Sequence, residues 1–330
     1  MRRAGIVTGS TPVILVTFPD YDTEHPQHGG ALTAAGYEMR IAPKRGARSA
    51  EDLLALSVDV SGAIVSTDPF TRQVLRDSPG LQVIARVGVG IDSIDATAAT
   101  ELGVAITTTP GANEATVADH AIAMMLGLLR RIPENDAGVR VGEWNRTGEH
   151  TPRMLSGCTV GLVGYGHIGR LVARRLAGFD VELLVTDPAL GESESACGVE
   201  LADLLARSDV VSLHCPLIPA TRHLIDQSAL QLMRPHAVLI NTSRGGVIDE
   251  AALIRALNDG MIAGAALDVF ETEPPNGSAL LAMHNVVVSP HVAGLSTKSV
   301  DVMFRMATTS VIDVLQGRVP EGLANRAILD

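Results

Sequence analysis

The chain's clearest chemical signature lies near its middle, where Gly164-Tyr165-Gly166-His167-Ile168-Gly169 follows the apolar strand formers Thr159-Val160-Gly161-Leu162-Val163. Glycines at this spacing, between a strand and a helix expected over 168–176, can cradle a pyrophosphate. The first permits a tight turn, the second lets backbone N–H groups approach the phosphates, and the third lets the helix lie close on the strand. The helix N-terminus, which carries His167 and Ile168, then faces the phosphate charge. Asp187 closes the next apolar run, where a carboxylate accepts from ribose hydroxyls and repels a 2′-phosphate. The expected cofactor is therefore NAD rather than NADP.

A parallel-sheet frame must position these groups. Short β-branched runs at 13–17, 62–65 and 82–87 alternate with helix-like stretches at 49–57 and 69–76, which indicates a first small α/β domain. Thr107-Thr108-Thr109-Pro110-Gly111 breaks the pattern as a linker would, and 114–131 reads as a long helix rich in Ala, Met and Leu. A less regular stretch surrounds 139–144. Beyond Thr159, strands are expected near 181, 210, 237, 262 and 286, with helices at 201–207 and 250–258 and a final helix at 299–316. Four strand-end segments of this second region carry polar groups: Leu213-His214-Cys215-Pro216, the stretch from Asn241 and Thr242 to Gly246, the stretch from Asp268 to Pro275, and Ser289-Pro290-His291-Val292-Ala293-Gly294. In an open parallel sheet ligands bind beyond the strand C-termini, so these side chains are the ones presented to them.

Composition limits the alternatives. The 330 residues suit two domains, and with 46% hydrophobic and 19% charged residues the chain reads as a well-buried α/β protein. A formal net charge of −11 argues against nucleic acid or an anionic membrane as partner, while leaving room for a small anion held by local positive charge. Cys158, Cys197 and Cys215 lack metal-ligand spacing and read as free thiols; no metal is expected. Met1-Arg2-Arg3 precedes an apolar stretch too interrupted for a signal peptide, and no segment has transmembrane length, so a cytoplasmic protein is the default. Of the ten histidines, His25 and His28 fall in a polar loop and His284 in a surface connection. These three read as structural or solvent-facing.

Taken together, these segments resemble the D-isomer-specific 2-hydroxyacid dehydrogenases, which include phosphoglycerate, glyoxylate/hydroxypyruvate and D-lactate dehydrogenases. The likeness spans nearly the whole chain, from Arg86-Val87-Gly88-Val89-Gly90-Ile91-Asp92 through Asn113-Glu114-Ala115-Thr116-Val117-Ala118-Asp119 to His291. It implies a catalytic trio of Arg244 for the substrate carboxylate, Glu273 before Pro274, and His291 as acid/base. The chemistry is apt, because a guanidinium fork can hold a 2-oxo acid's carboxylate and a glutamate-oriented histidine can supply the proton that a reduced ketone needs. Glu271 competes with Glu273 on residue type alone.

The resemblance also implies that Val87 and Gly88, with Arg86 nearby, bind the substrate, that Asp268 meets the nicotinamide amide, and that His214, Thr242 and Thr116 line the cofactor. His167 departs from the family's usual long or basic residue. The implied fold is two doubly wound parallel-sheet domains, a Rossmann cofactor domain (108–292) inserted into a flavodoxin-like substrate domain (1–107 and 293–330), with the active site in a closing cleft. The long 114–131 helix and Trp144 suggest a homodimer face.

The leading expectation is NAD-dependent interconversion of a D-2-hydroxy acid and its 2-oxo acid. The rivals are phosphite-like anion oxidation, a hydrolase of the adenosylhomocysteine type, which the trio disfavours, and an NADH-sensing corepressor. Phosphoglycerate would call for further cations, and the sequence does not place Arg40, Lys44 or Arg48 in the pocket. A serine-regulated C-terminal domain is not expected.

Overall fold

The computed structural model describes residues 11–43, 46–148, 151–190 and 197–329; Met1 to Ser10 and Lys44 lie outside them. The chain divides into two units, one formed by residues up to Asn113 and from Ser296, the other by Glu114–Leu295. The breaks fall a few residues beyond 107 and 292. The stretch read as a linker belongs to the first unit instead: Thr108 N donates to Gly322 O and Thr109 N to Gly88 O.

The first unit holds five parallel strands, β1 (Val13–Val16), β2 (Glu38–Ile41), β3 (Gly62–Val65), β4 (Val83–Arg86) and β5 (Ala105–Thr107), in the order β2-β1-β3-β4-β5. This is the flavodoxin-like order. All four residues of β3 are buried, as a central parallel strand covered on both faces requires. Helices α1 (Gly29–Ala34), α2 (Ala50–Ser57), α3 (Arg72–Arg76) and α4 (Ala96–Glu101) connect the strands. Ser49, Thr71 and Asp95 cap the last three by accepting from backbone N–H groups of the first turn. The C-terminal helix, Thr297–Leu315, starts with a Ser296/Ser299 capping box and buries Met303, Phe304, Ala307, Val311 and Val314 in the apolar cluster of β1, β3 and β4.

The second unit opens with α5 (Glu114–Leu129) and α6 (Ile132–Arg140), followed by β6 (Thr159–Val163), α7 (His167–Leu176), β7 (Glu182–Thr186), β8 (Cys197–Gly198), α8 (Leu201–Arg207), β9 (Val210–Leu213), α9 (Gln227–Leu232), β10 (Val238–Asn241), α10 (Glu250–Asn258), β11 (Gly264–Leu267) and β12 (Val286–Val288). The sheet is parallel throughout, in the order β12-β11-β10-β9-β6-β7-β8. That is the Rossmann order with one further strand, and it reverses between β6 and β9, where such folds bind dinucleotides. Two apolar clusters cover its faces. Helix α5 is part of one of them: it buries Val117, Ala118, Ala121, Ile122, Met124, Met125 and Leu129 within its own unit. Its remaining side, with Ala115, Asp119 and Ala123, is exposed, and Trp144 is 74% exposed. Among the described residues no helix is long and apolar enough to cross a membrane.

Candidate active site

The turn from β6 into α7 shows why its glycines are needed. Gly164 sits at φ 96°, a left-handed conformation that side chains disfavour, and a Cβ there would come within 2.7 Å of Cys215 N at the end of β9. A Cβ on Gly169 would meet Gly164 O at 2.3 Å, so the close packing of helix on strand depends on its absence. A Cβ on Gly166 would meet nothing within 4 Å, so the ground beside it is open. The first-turn N–H groups of α7 have no partners inside the helix, and the Ile168 side chain packs against the apolar cluster. His167 is turned elsewhere, with its exposed ring placing Nδ1 3.0 Å from Glu114 Oε1.

Asp187 is fixed at the end of β7. Its Oδ2 accepts from Tyr165 N at 2.6 Å and its Oδ1 from Ala189 N at 2.7 Å. It lines a small depression with Tyr165, Gly166, Arg170, Ala189 and Leu190. Arg170, whose guanidinium lies 5.3 Å from the Tyr165 ring centre, was not singled out from sequence. His214 Nε2 lies 3.0 Å from Ser212 Oγ, and burial pushes its imidazole down to about 4, so the ring is neutral near pH 7. Burial likewise raises the Cys215 thiol to about 11, which leaves it protonated and unreactive. Thr242 follows β10 directly, and its buried Oγ1 has no hydrogen-bond partner. An orphaned hydroxyl at a strand end of the same sheet as the glycine turn suits a dinucleotide that supplies the missing partner. Thr116 lies in the first turn of α5.

The next strand ends hold the proton-transfer groups. Asn241, fully buried, shapes the turn after β10: its Oδ1 accepts from Ser243 N and Ser243 Oγ, and its Nδ2 donates to Arg244 O. Gly245 brings this turn against the one after β11, since a Cβ there would overlap Phe270 C at 1.9 Å. Across that contact stands Glu273, whose Oε1 accepts from Phe270 N at 3.1 Å and whose Oε2 lies 2.7 Å from His291 Nδ1. Burial alone would raise the Glu273 carboxyl. The hydrogen bond and charge of His291, the Phe270 N–H and the nearby Arg244 guanidinium outweigh it and hold the group below the ordinary glutamate range. Glu271 pairs with a different histidine, His223, and so does not compete for this role.

Asp268 builds the loop that presents His291. This fully buried carboxylate accepts from Ser289 Oγ at 2.6 Å and Val292 N at 2.9 Å through Oδ1, and from Ala293 N at 2.9 Å through Oδ2. His291 itself adopts φ 53°, a strained setting for a side-chain residue that this clamp maintains. Only the remaining acceptor capacity of Asp268 is open to a nicotinamide amide. His120, one residue beyond the matched Asn113–Asp119 motif, reaches Ser289 Oγ at 2.9 Å and extends the network.

The second unit thus brings together Arg244, Glu273, His291 and Asp268. Val87 and Gly88 belong to the first. There Val87 is buried, and Gly88, at φ 134°, donates its N–H to the buried Thr109 Oγ1 at 2.9 Å. The Gly88 amide hydrogen is thus engaged within the unit. Arg86 Nη1 folds back to donate to Val87 O.

Comparison with known proteins gives these features relatives. Residues 122–293 match the family model described as D-isomer specific 2-hydroxyacid dehydrogenase, NAD binding domain. A glyoxylate reductase of Thermococcus litoralis is 39% identical over 322 residues, covering 92% of this chain and 95% of the relative. A D-3-phosphoglycerate dehydrogenase of Methanocaldococcus jannaschii is 38% identical over 281 residues, covering 83% of this chain and 53% of the relative. Among solved structures, an NADPH-dependent glyoxylate/hydroxypyruvate reductase from Sinorhizobium meliloti, in complex with NADP and malonate, superposes with a TM-score of 0.80 at 33% identity, covering 93% of each chain.

Proposed function

The chain belongs to the D-isomer specific 2-hydroxyacid dehydrogenase family, and on that premise we propose that it is a nicotinamide-dependent oxidoreductase, with NADH preferred, that reduces a small 2-oxo acid such as glyoxylate or hydroxypyruvate to the D-2-hydroxy acid and runs the reverse oxidation. The observation that carries this reading is the 2.7 Å pairing of His291 Nδ1 with the Glu273 carboxylate in the unit that also holds Arg244 and the glycine turn. Gly166, the N-terminus of α7, Asp187 and Thr242 would hold the dinucleotide, which when bound supplies or accepts the hydride.

The chain's own residues do the rest. Arg244 offers a planar fork of donors to the substrate carboxylate and orients the adjacent carbonyl. Glu273, ionised at neutral pH, accepts from His291 Nδ1–H and fixes the tautomer. His291 Nε2 is therefore the nitrogen that gives a proton to the carbonyl oxygen as negative charge develops there, and takes it back in the oxidative direction. With both ring nitrogens protonated, the adjacent carboxylate balances the charge.

The preference for NADH rests on Asp187, whose two anchored oxygens would repel a 2′-phosphate. Oxidation of NADH by a panel of glyoxylate, hydroxypyruvate, pyruvate and phosphohydroxypyruvate, repeated with NADPH, tests both statements. Turnover of at least one acid with higher kcat/KM for NADH is expected. A preference for NADPH removes the role given to Asp187, and NADH binding without turnover of any acid overturns the reaction in favour of another small anion or a sensor.

A homodimer is proposed as well, with the exposed apolar groups around Trp144 in its face. Ile132, Val139, Val141, Trp144 and Met154 are all more than half exposed on α6 and the segment after it, a density of apolar groups that favours burial against a second copy. Sedimentation at micromolar concentration should give a dimer, and Trp144→Asp should shift it toward monomer. A monomeric wild-type chain would sink the assignment.

A further inference from the structure

The turn after β1 and the C-terminal helix bring together His25, His28 and Asp301, one ligand atom from each lying within 4.8 Å of the others. His28, despite its polar sequence setting, is only 4% exposed. Its ring is flanked by Tyr21 at 5.9 Å and Phe304 at 5.5 Å between centroids, and His25 stacks on it at 4.0 Å. Neither of its ring nitrogens has a hydrogen-bond partner. Nε2 lies 3.2 Å from Asp301 Oδ1, so the pair has the separation of a hydrogen bond without its direction. A buried imidazole left this way lacks the compensation that buried polar groups ordinarily find.

The surroundings hold the cluster in place. Asp22 Oδ1 accepts from Glu24 N at 2.9 Å and His25 N at 3.0 Å, and Asp22 O accepts from Gly29 N at 3.1 Å, so the backbone is tied on both sides of the histidines. His25 Nδ1 takes the Gln27 N–H at 3.3 Å, which leaves Nε2 as its ligand atom. Tyr21 hydrogen-bonds Thr308 Oγ1 at 2.6 Å and anchors the same turn to the helix that carries Asp301. Burial, followed by the neighbouring His25, lowers the His28 imidazole below its ordinary value and favours the neutral form that can ligate.

We propose that His25, His28 and Asp301 bind one divalent transition-metal ion of the zinc or cobalt class, with water in the fourth position, bracing the turn after β1 against the C-terminal helix. Two imidazoles and one carboxylate form a nitrogen-rich donor set that suits such ions and not the all-oxygen ligation of magnesium or calcium. Binding requires the ligand atoms to close to roughly 3.4 Å, the edge of a tetrahedron with bonds of about 2.1 Å. It also requires the stacked rings, whose planes are now 25° apart, to splay. His25 is only partly buried and has room to swing, while His28 stays seated.

The test is titration of the full, chelator-treated chain with Co2+. One equivalent should bind with the visible absorption band of a tetrahedral site, and Zn2+ should displace it. At free metal about a hundredfold above Kd, the folded-to-unfolded ratio should rise about a hundredfold. His25→Ala and Asp301→Asn each should weaken binding at least tenfold, and the double variant should lose the band. Far-UV circular dichroism and metal-free unfolding midpoints confirm that the variants fold. Absence of a band in the wild type up to millimolar Co2+, or wild-type affinity in the double variant, overturns the proposal.

Discussion

His291→Asn should lower kcat by about 10²- to 10⁴-fold, the range that a positioned general acid contributes, while leaving NADH affinity close to that of the wild type. Asparagine keeps a polar group on the loop but cannot deliver a proton at neutral pH. The loop itself should persist, because Asp268 holds it through Ser289, Val292 and Ala293 and not through the His291 ring. Asparagine also tolerates the left-handed backbone that His291 adopts. The loss should therefore appear in single-turnover hydride transfer as well as in steady state. A variant within threefold of the wild-type rate would mean that another group supplies the proton.

The partner carboxylate adds a pH signature to the same pair. Glu273 is held below the ordinary glutamate range in the folded chain, so its ionisation contributes stability that is fully present above the unfolded value. That contribution is lost as pH falls through the folded value. Urea unfolding of the wild type should weaken on the acid side of about pH 4.5, and Glu273→Gln should flatten part of that slope.

Arg244→Ala should reduce kcat/KM by a comparable factor, about 10²- to 10⁴-fold, because it removes a charge-assisted, two-point contact with the substrate carboxylate worth roughly 3–5 kcal/mol when desolvated. Arg244→Lys should recover only part of it, since an ammonium reproduces the charge without the fork. Neither change should disturb NADH binding, because Asn241 Nδ2 still holds the Arg244 carbonyl and Asn241 Oδ1 still holds Ser243 when the bond from Arg244 Nη1 to Ser243 O is lost. Unchanged turnover in the alanine variant would remove Arg244 from the site.

The second unit was the more legible of the two. Its glycine turn, Asp187 and strand-end segments are local in sequence, and β9, β10 and β11 are buried strands in the structure, while β7 and the edge strand β12 are partly exposed. Shorter elements escaped notice for physical reasons. The edge strand β2, Glu38-Met39-Arg40-Ile41, is half exposed and mixed in polarity, and β5 is three residues long. Thr109 resembled part of a linker because its hydrogen bond to Gly88 spans 21 positions. The burial of His28 is non-local in the same way: the aromatic ring that covers it, Phe304, comes from the C-terminal helix. His120 is equally non-local, meeting Ser289 across 169 positions. Residue type alone leaves Glu271 and Glu273 undecided; the resemblance points to Glu273, and the three-dimensional pairing puts Glu271 on His223 and Glu273 on His291.

The interrupted first unit also sets an order of events at the ribosome. Its sheet is complete by Thr107, but the helix that buries Met303, Phe304, Ala307, Val311 and Val314 against β1, β3 and β4 is synthesised only after the whole inserted unit. The inserted unit, continuous from Glu114 to Leu295, can emerge and close its core while its N-terminal neighbour still presents an uncovered apolar face. The usual N-terminus-first sequence of domain folding is thereby reversed, and a nascent chain stalled before Ser296 would hold a finished nucleotide-binding fold joined to an unfinished one, the state most exposed to chaperones and aggregation.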